Sequence, residues 1–319
     1  MSTIACVFPG QGSQSLGMLS ELAADYPLVR ALFDEVSSHL HYDVWHLVQE
    51  GPLEVLNQTA QTQVAMLTAD VAVFRVLEQY VSLSSVVLAG HSLGEYAALV
   101  CAGSLVLTDA ALLVQTRGQL MQETVPSGVG AMAAIVGLTD EQVLAICEDV
   151  STNTCAARPA NYNAIGQVVI AGHTLAVKKA MAVADEQGAR MAIIIPVSVP
   201  CHCALLQPAA ERFVDVLNAA PFQVPQQPVI SSVDLGLYHA IEPMRKILAE
   251  QLYRPVRWVE TIQTMKKQGV SQVIECGPGK VLGGLMKRID KSLPVISVND
   301  RTSLALARDD LILTGAQRG

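Results

Sequence analysis

Residues 86–96 read VVLAGHSLGEY, and how this stretch folds decides the architecture of the chain. Four apolar residues running into Gly-x-Ser-x-Gly predict a strand that stops in a tight turn and restarts as a helix, lifting the Ser92 hydroxyl clear of the backbone. Gly90 and Gly94 carry no Cβ, so the flanking backbone can pass close to itself and adopt dihedrals that other residues resist. The continuation LGEYAALVCAG has a helical spacing at Leu93, Ala97 and Val100. The hydroxyl then stands at a helix N-terminus, where amides favour an anion such as an acyl intermediate. Two readings remain open from these residues alone: a nucleophile, or small residues that relieve crowding at a strand–helix junction.

Outward from this junction, strand signals recur at 3–8 (TIACVF), 130–136 (GAMAAIV), 168–171 (VVIA), 190–197 (RMAIIIPV), 228–233 and 271–275, with helical patterns between most of them. Such alternation predicts an α/β fold with parallel pairing. Residues 129–199 stand apart: a strand, the helix LTDEQVLAICEDV, strands at 154–160 and 168–171, a helix from Leu175 to Gln187, then a strand. That order is the split βαβ pattern of ferredoxin-like units. The expected layout is a large α/β subdomain, residues 1–128 and 200–300, interrupted by a small ferredoxin-like one, residues 129–199. A ligand-binding cleft is expected between them. Residues 301–319 receive no role.

Composition agrees with a large buried core, since 51% of the 319 residues are hydrophobic and 16% charged. With 4% aromatic residues the core must be filled by aliphatic side chains, as where helices pack on parallel strands. The start, MSTIACVFPG, lacks a basic region leading into a long apolar one, and the longest apolar tract, near 97–114, is broken by Ser104, Thr108 and Asp109. A soluble cytoplasmic protein with no membrane span is therefore expected. Seven cysteines, an odd number without a Cys-x-x-Cys pair, predict reduced thiols. A net charge of −8 without a basic run argues against a nucleic-acid partner.

A serine hydroxyl needs a base within hydrogen-bonding reach. His39, His41 and His46 lie in a polar helical region, His173 and His239 among turn signals, and His91 beside the serine is expected to face another way. His202 differs: it follows AIIIPVSVP where the chain returns from the small subdomain, a loop position suited to function. Cys201-His202-Cys203 also invites a metal reading, but in an extended segment the two thiols would point opposite to the imidazole, and no second ligand cluster completes the set. Arg117 shares a helical face with Leu113, Leu120 and Met121, and a buried guanidinium needs a partner. A substrate carboxylate would match its fork; snorkelling to water or a structural acid would serve equally.

Seven stretches in order, PGQGSQ (9–14), GHSLGEY (90–96), QTRGQLM (115–121), NYNAIGQVVIAG (161–172), PVSVPCHCALLQPAAERF (196–213), QLYRPVRW (251–258) and ECGPGKVL (275–282), resemble the malonyl-CoA:acyl carrier protein transacylases of bacterial fatty-acid synthesis. The resemblance spans about residues 1–298. It implies a hydrolase-like large subdomain with a ferredoxin-like insert, and ping-pong transfer of malonyl from malonyl-CoA to the phosphopantetheine thiol of acyl carrier protein, without metal or cofactor. It implies Ser92 as nucleophile, His202 as base, the amides of Gln11 and Leu93 as oxyanion hole, Arg117 as the carboxylate's partner, and the Gln251 carbonyl as the group orienting the histidine. His91, Asn163 and Met121 would line the site. Because carrier protein is acidic, Lys280, Lys287, Arg288 and Arg190 are the expected docking face. Three departures touch the side pockets: Cys201 before the histidine, Ala164-Ile165 for a more usual Ser-Pro, and Ser231-Ser232 for an Asn pair. The alternatives are a serine hydrolase or thioesterase, and an acyltransferase of malonate metabolism or polyketide synthesis.

Overall fold

Strand β1 (Thr3–Phe8) lies at the centre of a parallel sheet that also holds β2 (Val87–Gly90), the short β7 (Val229–Ile230), β8 (Val270–Cys276) and β9 (Val295–Val298). The order across the sheet is β7-β2-β1-β8-β9, every neighbour parallel. Strands β3 (Gly130–Val136), β4 (Ala157–Ala164), β5 (Gln167–His173) and β6 (Met191–Ile194) make a second sheet in the order β4-β5-β3-β6. The computed structural model describes residues 3–83, 85–197 and 199–313.

The α/β class and the two-part layout are those expected, with parallel pairing in the larger sheet. The smaller one is antiparallel throughout. Its β4 and β5 are joined by two residues, Ile165 and Gly166, the latter at φ +67°, and so short a connection can return a strand only antiparallel. The helices Asp140–Val150 and Thr174–Glu186 pack on it around a separate aliphatic core of Ile135, Val143, Ile146, Val168, Ile170 and Val177. Thr139 and Gln142 form the capping box that starts the first of these helices.

In the larger part, the helix Thr59–Leu77 is buried on nearly all sides, which is why its sequence lacks a polar face. The helix Leu107–Thr124 lies against it at Gly118, where a Cβ would stand 2.5 Å from Ala60 Cα. Gln122 Oε1 also accepts the Ala60 amide at 2.8 Å. This close approach sets Arg117, one residue before the glycine, inside the molecule.

Two sequence expectations are corrected. The strand signals at 190–197 and 228–233 extend only over Met191–Ile194 and Val229–Ile230. The segment from 301 onward, left without a role, contains the helix Arg301–Leu313, which buries Leu304, Ala307 and Leu311 beside β9. Asp300 Oδ1 accepts the Ser303 amide at 2.7 Å, and Arg301 pairs with Asp25 across 2.7 Å. Residues 314–319 of that tail lie outside the described residues.

Candidate active site

At the end of β2 the chain turns through Ser92, whose φ is +53°. A serine in this region is strained, and the surroundings hold it there. Neither motif glycine has a positive φ. Their role is close approach: a Cβ on Gly90 would lie 1.9 Å from Gly94 C, and one on Gly94 2.1 Å from Phe8 O. The turn therefore packs directly on the end of β1, with the His91 amide donating to Phe8 O at 3.0 Å.

His202 reaches the serine from the other side of the cleft, with Ser92 Oγ and His202 Nε2 2.8 Å apart. The segment around it is a turn, not extended, and His202 has φ +62°; this corrects the expectation of alternating faces at 201–203. Its amide donates to Leu252 O at 2.9 Å. Nδ1 faces Gln251 O at 2.7 Å and Arg254 O at 3.2 Å. Carbonyls only accept, so Nδ1 carries the proton and Nε2 is left bare to accept from the serine hydroxyl. Among the described residues no carboxylate stands behind the ring. Burial, then the neighbouring Arg117 guanidinium, push the imidazole down to about 3, although the two carbonyls pull the other way. It is neutral near pH 7, as a proton acceptor must be.

Gln11 and Leu93 both border this cleft, and their amides have no acceptor among the described residues. Gly10 permits their approach, since a Cβ there would lie 2.6 Å from His91 O. The cleft has a volume of about 170 Å³ and draws walls from both sheets' subdomains, including Met132, Val169, Ile195 and Val197 on one side and Val281, Leu282 and Leu285 on the other. A larger groove of about 400 Å³ lies between the helices Gln207–Ala219 and Ile241–Glu250, and neither Ser92 nor His202 borders it.

Arg117, 2% exposed, also borders the cleft. Its Nη2 donates to Gln251 Oε1 at 3.1 Å, and its guanidinium carbon stands 5.6 Å from the centre of the Tyr96 ring. Nε has no acceptor, and among the described residues no carboxylate pairs with it. A buried cation left with free donors is costly unless an anion arrives.

His91, expected both to line the site and to face away from Ser92, does border the cleft: Nε2 is 2.8 Å from Asn163 Oδ1, with the ring edge-on to buried Trp258. Asn163 borders it as well. Met121 stands one layer back, its sulfur 3.6 Å from Gln63 Nε2, and Gln63 takes the lining position instead. Gln63, Ser13 and Asn161 were missed by sequence reasoning. Asn161 sits two residues before Asn163 on β4, where period-two alternation would have shown it on the same face. Cys201 borders the cleft as a thiol that burial pushes up to about 11. Ile165 is exposed, and Ser232 turns inward to Glu95.

A serine hydroxyl hydrogen-bonded to a neutral imidazole, in a cleft that Gln11, Leu93 and a buried arginine also line, defines an acyl-transfer class of protein. The chain matches the acyl transferase domain family over residues 5–307. It belongs to the malonyl CoA-acyl carrier protein transacylases within that family, being 48% identical over 307 residues to the one from Escherichia coli K12, across 96% of this chain and 99% of that one. The solved transacylase of Coxiella burnetii superposes with a TM-score of 0.95 at 48% identity, covering 97% and 98% of the two chains. A malonyl-transacylase solved in complex with a type II PKS acyl-carrier protein superposes with a TM-score of 0.94 at 49% identity, covering 97% and 100%.

Proposed function

We propose that the chain transfers the malonyl group of malonyl-CoA to the phosphopantetheine thiol of acyl carrier protein through a malonyl ester on Ser92. Ser92 Oγ attacks the thioester carbon as His202 Nε2 takes its proton. The oxyanion is held by the amides of Gln11 and Leu93. As the C–S bond breaks, His202 returns the proton to the CoA sulfur. The carrier thiol then attacks the ester carbon, His202 takes the thiol proton, and Ser92 leaves with it. Arg117 grips the free malonyl carboxylate through both reactions.

The observation that carries this reading is the coincidence of the 2.8 Å Ser92–His202 contact with an unpaired Arg117 in one small cleft. Labelled malonyl-CoA should leave one malonyl group on the wild-type protein and none on Ser92→Ala by intact mass. Added carrier protein should remove it faster than water does. A label on Ser92→Ala, or equal loss to water, would overturn the assignment, the second in favour of a hydrolase.

We propose the docking face at Lys280, Lys287, Arg288 and Arg190, all exposed. Lys287 and Arg288 end the helix Val281–Ile289, whose first residues line the cleft, so a partner held there faces Ser92's entrance. Arg288 and Arg190 border one open depression beside Gly166. No described helix is long and apolar enough to cross a membrane, and we place the activity in the cytoplasm.

A further inference from the structure

Three residues after Ser92, Glu95 is a wholly buried carboxylate that the transfer chemistry does not use. Its Oε2 receives the Ser232 amide at 3.2 Å, the Ser232 hydroxyl at 2.8 Å and Gln251 Nε2 at 2.9 Å; its Oε1 receives the Tyr238 hydroxyl. No cation pairs with it among the described residues. Burial raises its pKa, and these donors oppose the rise. The backbone N–H of Ser232 can only donate, so Oε2 is an acceptor whether or not Oε1 holds a proton.

Gln251 stands between this acceptor and the site. Its Nε2 also approaches Ser92 O at 3.2 Å, its Oε1 accepts Arg117 Nη2 at 3.1 Å, and its main-chain oxygen accepts His202 Nδ1 at 2.7 Å. A carboxamide has one donating end and one accepting end. With Glu95 demanding the NH₂, the carbonyl is forced toward Arg117. A flipped amide would set its NH₂ against the guanidinium and its oxygen against the carboxylate, two repulsive contacts in a dry interior.

We propose that Glu95 is a positioning residue for malonyl recognition: it fixes the facing of the Gln251 amide, which aims the Arg117 fork and steadies the Ser92 turn. The inference rests on the malonyl-transfer reading. Ser232 is suited to holding Glu95 in turn, since its main chain and hydroxyl both donate to the same carboxylate oxygen.

The test compares transfer from malonyl-CoA and from acetyl-CoA for wild type, Glu95→Gln, Glu95→Met and Gln251→Met, with thermal unfolding of each. Glu95→Met fills the space but accepts nothing, so the KM for malonyl-CoA should rise roughly tenfold or more, with a smaller change for acetyl-CoA. Glu95→Gln can place its oxygen toward Gln251 and its NH₂ toward Tyr238, and should keep the malonyl-over-acetyl preference within about threefold. Gln251→Met should narrow that preference as Glu95→Met does, and the double variant should add little. An equal loss for both substrates in Glu95→Met, or Glu95→Gln as damaging as Glu95→Met, overturns the proposal. If Glu95→Met does not fold, an unchanged preference in Gln251→Met does so instead. Absence of malonyl transfer in wild type would remove the functional reading and this inference with it; the variant outcomes bear on the inference alone.

Discussion

At the Ser92 end of the cleft the groups proposed to meet the reacting atoms are neutral: a hydroxyl, an uncharged imidazole and the main chain of Gln11 and Leu93. At the other end a buried guanidinium, the group proposed to do the selecting, is held by one amide oxygen and an aromatic face. The reactive end is fixed by backbone geometry, with Ser92 and His202 both at positive φ. The recognising end is fixed by side chains. A change to the first should therefore abolish chemistry for every acyl group, whereas a change to the second should alter which acyl group is preferred.

The largest effect should come from the backbone of the reactive end. Gly90→Ala would put a methyl group 1.9 Å from Gly94 C, and no side-chain rotation can relieve a clash between main-chain atoms. The turn must open, at a cost of at least about 3 kcal/mol, and Ser92 would leave its place. Denaturant unfolding should show the lost stability, and any folded fraction should take up neither malonyl nor acetyl label. A variant that unfolds like wild type and still acylates would mean that the close approach is not what sets the serine.

The recognising end should respond differently. Arg117→Ala should cut malonyl kcat/KM about a hundredfold or more, as expected for a buried charge-assisted pair, while acetyl transfer falls much less. It should also move the pH profile. In the free enzyme Arg117 is the second cause, after burial, that lowers the His202 pKa, so removing it raises that pKa. The imidazole then gains its proton at a higher pH as the solution is acidified, and the acid limb of acetyl kcat/KM shifts upward. A malonyl preference that survives, or an acid limb that stays in place, would erase the division between the two ends.

Legibility in the sequence followed the same division. The Ser92 turn was readable because close backbone approach demands glycine, and two glycines at fixed spacing leave a mark. The His202 turn demands the same left-handed backbone at a histidine, with hydrogen bonds to Leu252, Gln251 and Arg254 that lie about fifty residues away. Nothing local encodes those partners, so 201–203 read as extended. Asn161 and Gln63 were hidden for a related reason: one sits on a strand whose face was not assigned, and the other on a helix buried all round, where no polar stripe marks a functional side. The small antiparallel sheet was legible in its element order, the split βαβ pattern that sets residues 129–199 apart from the parallel sheet of the larger part. The terminal helix, with Leu304, Ala307 and Leu311 at spacings of three and four, did carry a helical signature at 301–313.

The smallest effect should lie outside both ends, on the surface proposed to bring the second substrate. Lys287 and Arg288 are exposed on the last turn of the helix that begins at the cleft, and neither touches Ser92, His202 or Arg117. Reversing both charges should raise the KM for carrier protein by roughly tenfold at low salt, through a slower encounter, with a smaller difference as salt screens the field. The KM for malonyl-CoA in the first half-reaction should stay within about twofold, because the charge change lies beyond the groups that hold the malonyl unit. The CoA phosphates are anionic as well, and the measurement separates the two cases. If both constants rise together, the basic face serves the two substrates alike, and the distinction between a site that selects the acyl group and a surface that selects the acceptor no longer holds.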